Sequence, residues 1–342
     1  VRISVAALAL CCVSVRLVAQ QAHVHKASPV DMPGQVDSNS PAWWKDGQLH
    51  LLNSTGNGPM LSIGSDQFHL GAPQAAQLNR INPWPTWIEA VWRDADSGIV
   101  FGWYHQEHWG LCAGSRLAVP QIGAAVSYDN GNSFQDLGAI ITSGDPYSCA
   151  AQNGYFAGGV GDFSVMLAAD RSFFYVFFSN YAGPVETQGI CVARVPFSNR
   201  FGPRGSAVKY FNGGFSEPGL GGRVTPIFPA TVSWMAANTD AFWGPSIHWN
   251  TYLQEYVMLL NRSCCTTGFP PDGIYVSFGT DLTDPKSWSK PKKILDNVSW
   301  YPQVLGQSAT GTDSQAGRTP RLYVYGHSEW TLEFVKPDAP PQ

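Results

Sequence analysis

The chain has 342 residues, of which 13% are aromatic and only 13% charged, and Gly and Pro number 35 and 25. That balance excludes a disordered chain, which is poor in aromatics and rich in charge, and a coiled coil, which needs an Ala/Glu/Lys/Leu/Arg excess. A formal net charge of −4 offers no global attraction to nucleic acid, and the expectation is a turn-rich, all-β protein.

Residues 3–14 are apolar and follow Arg2. The run is too short to span a bilayer, which needs about 20 residues. It fits the core of a secretory signal occupying residues 1–22, with a cut near Ala19 after Leu17-Val18-Ala19. The expected product is one domain, residues 23–342, secreted or periplasmic, with no membrane association beyond export. Cys11 and Cys12 fall in the signal and leave Cys112, Cys149, Cys191, Cys264 and Cys265. Five is odd, so at least one thiol has no partner within the chain. A Cys112–Cys149 disulfide would tie two long loops together. Cys264 and Cys265 either bond to each other or pair elsewhere. There is no C-x-x-C, so a zinc site has no support.

Beyond the signal, amphipathic helical periodicity is hard to find. Short runs rich in β-branched and aromatic residues recur instead, separated by Gly, Asp, Asn and Pro. Strand–turn–strand patterns occupy 40–54, 86–105, 162–181 and 244–262, and a looser one combines 300–306 with 321–330. Second hairpins follow most of them, at 123–142 and 273–295 and more weakly at 59–71 and 189–202. The unit is about four strands, repeated five times, which predicts a five-bladed β-propeller. Segment 23–36 is a candidate for the last outer strand of the fifth blade, which otherwise looks short.

Ser127-Tyr128-Asp129-Asn130-Gly131-Asn132-Ser133-Phe134 reads S-x-D-x-G-x-x-F and resembles the Asp box of sialidases and other propellers. Such a box is a structural turn on the outer strands, away from any site. In a propeller, loops entering the innermost strands and loops leaving the second strands meet at one mouth. The entries carry Asp37, Trp87 and Glu89, Asp162, then Trp243 and His248, then Trp300 and Tyr301. The exits add His105, Glu107 and His327. Carboxyl groups converging on an aromatic cleft suit glycoside chemistry. One protonates the leaving oxygen, and another activates water or attacks the anomeric carbon. Trp and Tyr offer flat faces to sugar rings.

The blade layout over 37–330 resembles the five-bladed propeller glycosidases of the arabinanase and β-xylosidase type, glycoside hydrolase family 43 and its relatives. Those enzymes open the first blade with an Asp, and Asp37 before Ser40-Pro41-Ala42-Trp43-Trp44 is similar. They carry a second Asp in a D-P-S-like entry, which Asp162 in Gly161-Asp162-Phe163-Ser164 resembles. They carry a Glu in an E-G-P-S-I-like entry to the fourth blade. Here Trp243-Gly244-Pro245-Ser246-Ile247 puts Trp where that Glu would stand. Glu217, in the Gly-rich loop 215–222, and Glu89 are the candidates to replace it. A single central cation such as calcium, held by His and water on the axis, is compatible with the resemblance. No other cofactor is expected.

The reading is therefore an exported glycoside hydrolase acting on a plant or microbial poly- or oligosaccharide. One alternative is a carbohydrate-binding propeller without catalysis. The other is a sialidase-like enzyme, which needs an arginine trio for the substrate carboxylate.

Overall fold

The computed structural model describes residues 21–79 and 82–336. Five separate antiparallel-based sheets make five blades. Blade 1 runs outward through Ala42–Lys45, Gln48–Thr55, Gly58–Gly64 and Gln74–Ala75. Blade 2 runs through Thr86–Arg93, Val100–His108, Val119–Ser127 and Ser133–Ile141, with Gln77–Asn79 added in parallel at its outer edge. Blade 3 comprises Val160–Leu167, Phe173–Asn180, Gly189–Pro196, Val208–Phe211 and Gly214–Pro218. Blade 4 comprises Ala241–Asn250, Glu255–Ser263, Pro271–Gly279 and Lys292–Leu295. In blade 5, Pro302–Leu305, Arg321–Val324 and His327–Val335 are completed by Gln21–Asp31.

That last pairing closes the ring. Gln21 lies opposite Val335 and Lys26 opposite Trp330, so the first described strand is the outer edge of the last blade. The expected contribution of 23–36 is met, and the strand starts two residues earlier, inside the segment assigned to the signal. Residues 1–20, with the rest of that signal, lie outside the described residues. Among the described residues no helix is long and apolar enough to cross a membrane.

Side-chain alternation explains why the second strands are apolar without a break. In Phe173–Asn180, Phe174, Val176 and Phe178 pack toward blade 2, while Tyr175 and Phe177 pack toward blade 4. The same split in Glu255–Ser263 sends Val257 and Leu259 toward blade 5 and Met258 and Leu260 toward blade 3. Successive residues face opposite sides of a strand, and both sides of a blade are core. Tight turns set the registers. Asp46-Gly47 and Asn212-Gly213 join adjacent strands with both residues at positive φ, the geometry that matches strand twist in a two-residue hairpin. The turn at 127–134 is held by Asp129, which accepts from Ser133 N (2.8 Å) and from the Ser127 hydroxyl (2.8 Å), above fully buried Phe134.

Two disulfides are present, Cys112–Cys149 and Cys264–Cys265, and Cys191 is a buried free thiol.

Candidate functional site

The loop before blade 1, the inner strands of blades 2 and 3 and the end of the second strand of blade 2 open on one cavity of about 450 Å³. Asp37, Glu89, Glu107 and Asp162 all face it, together with His105. Trp87, Trp243, Trp300 and Tyr301 wall it, as expected from their strand-entry positions, and Trp109, Tyr155, Phe156 and Phe269 complete the aromatic lining. None of the described residues that line it is Lys or Arg. Asp37 also borders a second hollow of about 460 Å³ with Gly34, Gln35, Val36, Thr55 and Tyr325.

The centre of the group is His105. Its Nδ1 accepts the backbone N–H of Asp162 at 3.0 Å and lies 3.7 Å from Glu89 Oε1. Its Nε2 is 3.4 Å from Glu107 Oε1. Glycine at 161 makes this possible, because a Cβ there would collide with the imidazole. Asp162 sits at φ 39, an uncommon conformation for a side-chain-bearing residue. That backbone turns the Asp162 and Phe163 amides toward blade 2, and Phe163 N donates to Glu89 Oε2 at 2.8 Å. The Tyr181 hydroxyl donates to Asp162 Oδ2. Trp87 Nε1 donates to Asp37 Oδ2 at 3.1 Å, and Trp109 Nε1 donates to Glu107 Oε2 at 2.7 Å.

Burial sets the electrostatics. Glu89 is raised to about 8, first by loss of water and then by the charge of Asp162. Asp37, half-buried, is raised to about 6 by desolvation, with the Trp87 bond opposing. Burial also raises Asp162. For His105, burial alone would favour the neutral ring, but Glu107, Asp162 and Glu89 lift its pKa to about 9. A protonated Nδ1, however, cannot accept the Asp162 N–H. The hydrogen bond therefore identifies the neutral tautomer, with its proton on Nε2, toward Glu107.

Glu89, His105 and Asp162 offer donor atoms within 4.8 Å of one another. His105 Nδ1, Glu89 Oε2 and Asp162 Oδ2 are each engaged by a protein donor.

Three residues expected at the mouth lie elsewhere, and their assignment to the site is corrected. Glu217 is on the outermost strand of blade 3, where Arg223 binds it through Nη2 (2.7 Å), Nε (3.1 Å) and its backbone N–H (3.2 Å). Loop 215–222 is an edge, not an entry to blade 4. His248 lies five residues past Trp243, about 17 Å along an extended strand. There it packs against Phe334, and burial lowers its pKa to about 3. His327 opens the third strand of blade 5 rather than ending the second, and its Nδ1 is 2.6 Å from Asp31. The sialidase-like alternative finds no support. Arg223 is tied to Glu217 and Arg318 to Glu333, Arg80 lies outside the described residues, and no described residue lining the cavity is an arginine.

Tyr181, Trp109, Tyr155, Phe156 and Phe269 reach the site without having been expected there. Tyr181 had a usable signal, because it follows the second strand of blade 3 as Glu107 ends that of blade 2. The others sit on long loops without a repeat signature.

No family model matches the chain, and no curated protein matches it in sequence. Among solved structures it is similar to a thermostable family-43 glycoside hydrolase at 12% identity, covering 91% of this chain and 96% of that one, with a TM-score of 0.50. It is also similar to the exo-beta-1,3-galactanase of Phanerochaete chrysosporium, crystallised with galactose, at 11% identity and TM-score 0.49. That match covers 90% of this chain but spans only 64% of the galactanase chain. A third is an exo-1,5-alpha-L-arabinanase from a bovine ruminal metagenomic library, at 11% identity and TM-score 0.49, covering 88% of this chain and 95% of that one. At these identities the likeness concerns the fold, that of the five-bladed propeller glycosidases.

Proposed function

We propose that the protein is an exported glycoside hydrolase acting on a neutral poly- or oligosaccharide. The observation that carries this reading is the meeting of Asp37, Glu89 and Asp162, from three distant stretches of chain, in one aromatic cavity whose described lining holds no Lys or Arg to neutralise them. Glu89, protonated up to about pH 8, is the general acid. Its O–H breaks, the proton passes to the glycosidic oxygen, and the C–O bond to the leaving sugar opens. Asp37, ionised above about pH 6, serves the attacking side, activating water or attacking the anomeric carbon itself. Asp162 is a positioning group, because its backbone N–H fixes His105 and its neighbour's N–H fixes Glu89. The two disulfides support export to an oxidising compartment.

Trp243 favours a second reading. It occupies the position of the resembling family's Glu, is buried, and donates from Nε1 to Ser263 Oγ at 3.0 Å. A cavity without an acid there would bind sugar without cleaving it. The two readings separate on purified protein incubated with aryl glycosides and soluble plant polysaccharides. The hydrolase reading expects sugar release that Glu89→Gln and Asp37→Asn each abolish while glycan retention in affinity gels persists. Retention without any release by the unmodified protein would establish the binding reading instead.

A further inference from the structure

Two of the cavity's aromatic residues do not stay inside it. Trp109 and Tyr155 line the cavity, yet remain 48% and 42% exposed. Leu111 and Tyr147, on the same two loops 109–118 and 143–158 but outside the cavity lining, are exposed to a similar degree. The Cys112–Cys149 disulfide joins these loops, and Ala118 pairs with Phe156 across them. From its disulfide-bonded Cys149, the second loop continues to Asn153. That side chain accepts from Tyr155 N and Phe156 N, both at 2.7 Å, and donates to Trp234 O on the neighbouring loop.

We infer that Trp109 and Tyr155 at the cavity rim, with Leu111 and Tyr147 outside it, form a platform that binds the rest of a neutral polysaccharide chain whose reacting unit lies within the cavity. The inference rests on the proposed function and names how its substrate extends. Three features argue for this occupant. The platform is continuous with the cavity, since two residues belong to both. It is almost uncharged, because the 26 residues of the two loops hold one Arg, Arg116, and one Asp, Asp145. The latter is directed toward Gly183, where an added Cβ would collide with its Oδ2. An uncharged face of aromatic rings suits the C–H face of a sugar and gives no purchase to an acidic or basic partner. The platform is also pre-ordered. Glu107 holds the Trp109 indole and the disulfide holds the loops, so little freedom is lost when a chain settles.

The test uses the double variant Leu111→Ala, Tyr147→Ala, which touches no residue lining the cavity. Affinity gels containing soluble arabinan, arabinoxylan or arabinogalactan measure polymer binding, and nitrophenyl monoglycosides measure the reaction at the cavity alone. The expected result is about a tenfold weaker affinity for the bound polymer, from the loss of two large apolar contacts, with monoglycoside hydrolysis unchanged. A melting curve matching the parent verifies that both proteins are folded. Equal polymer retention by variant and parent overturns the platform, as does a parent that binds none of the three polymers. Tyr325→Ala probes the opposite track, past Asp37 into the second hollow. A loss of polymer binding there, with none in the double variant, reassigns the chain's path. Polymer binding that depends on the platform, without release of any sugar, leaves the platform standing and removes the hydrolase reading.

Discussion

Glu89 and Glu217 are both carboxylates on strands, and their surroundings are opposite. Glu217, at the outer edge of blade 3, has Arg223 wrapped around it, and these hydrogen bonds hold its pKa below the ordinary value. Glu89, at the mouth, has a backbone N–H, the His105 imidazole and the Asp162 carboxyl beside it and is pushed up to about 8, first by burial and then by the Asp162 charge. An arginine neutralises Glu217, whereas no described residue lining the cavity around Glu89 is Lys or Arg. A buried acid without a Lys or Arg partner is costly to a fold, and that cost at the mouth is what supports the proposed acid role of Glu89.

The sharpest way to break that contrast is to neutralise each side. Glu89→Gln is expected to lower glycoside hydrolysis by about 10²–10⁴-fold, the usual share of general acid catalysis. It is also expected to raise the melting temperature at pH 8.5. Native Glu89 keeps its proton up to about pH 8, whereas the unfolded chain releases it near 4.5. The native state therefore binds the extra proton between those values, and stability falls as pH rises through that window. A variant less stable than the parent at pH 8.5 would show that Glu89 is not held protonated by burial.

Next in size is the pH profile. Activity is expected to fall below about pH 6 as Asp37 takes up a proton and above about pH 8 as Glu89 loses one. A rate flat across both values contradicts the assignment of the two roles.

The loops that frame the mouth should depend on their cross-link. Cys112→Ser with Cys149→Ser opens a loop of 37 residues and is expected to cost about 3–4 kcal/mol in denaturant unfolding. A loss below about 1 kcal/mol would mean that hydrogen bonds alone hold these loops. The smallest effect belongs to the other carboxylate. Glu217→Gln should leave kcat and KM where they are, and a change in either would place the outer edge of blade 3 in the reaction.

Much of the architecture was legible in local patterns. Asp46-Gly47 announces the hairpin read at 40–54, and unbroken apolar strands such as Phe173–Asn180 announce burial on both faces. Four-strand units of this kind, repeated five times, make a propeller, and the ring rule then placed Asp37, Glu89 and Asp162 at one mouth. Position along a strand was harder to judge. His248 is only five residues past Trp243, yet it belongs to the packing between blades 4 and 5.

The sequence by itself determined the inner and second strands, several tight turns and the entry residues Asp37, Glu89 and Asp162, because these follow from side-chain period and backbone preference within a few residues; the outer strands after 59–64 and 189–196 come later in the chain than the hairpins read there. Only the tertiary structure decided which carboxylates are dry and unpaired and which long-loop aromatics reach the cavity. Burial and charge pairing arise between segments far apart in the chain. Glu89 meets Phe163 across 74 residues, whereas Glu217 finds Arg223 six residues away, and no local pattern distinguishes those two fates.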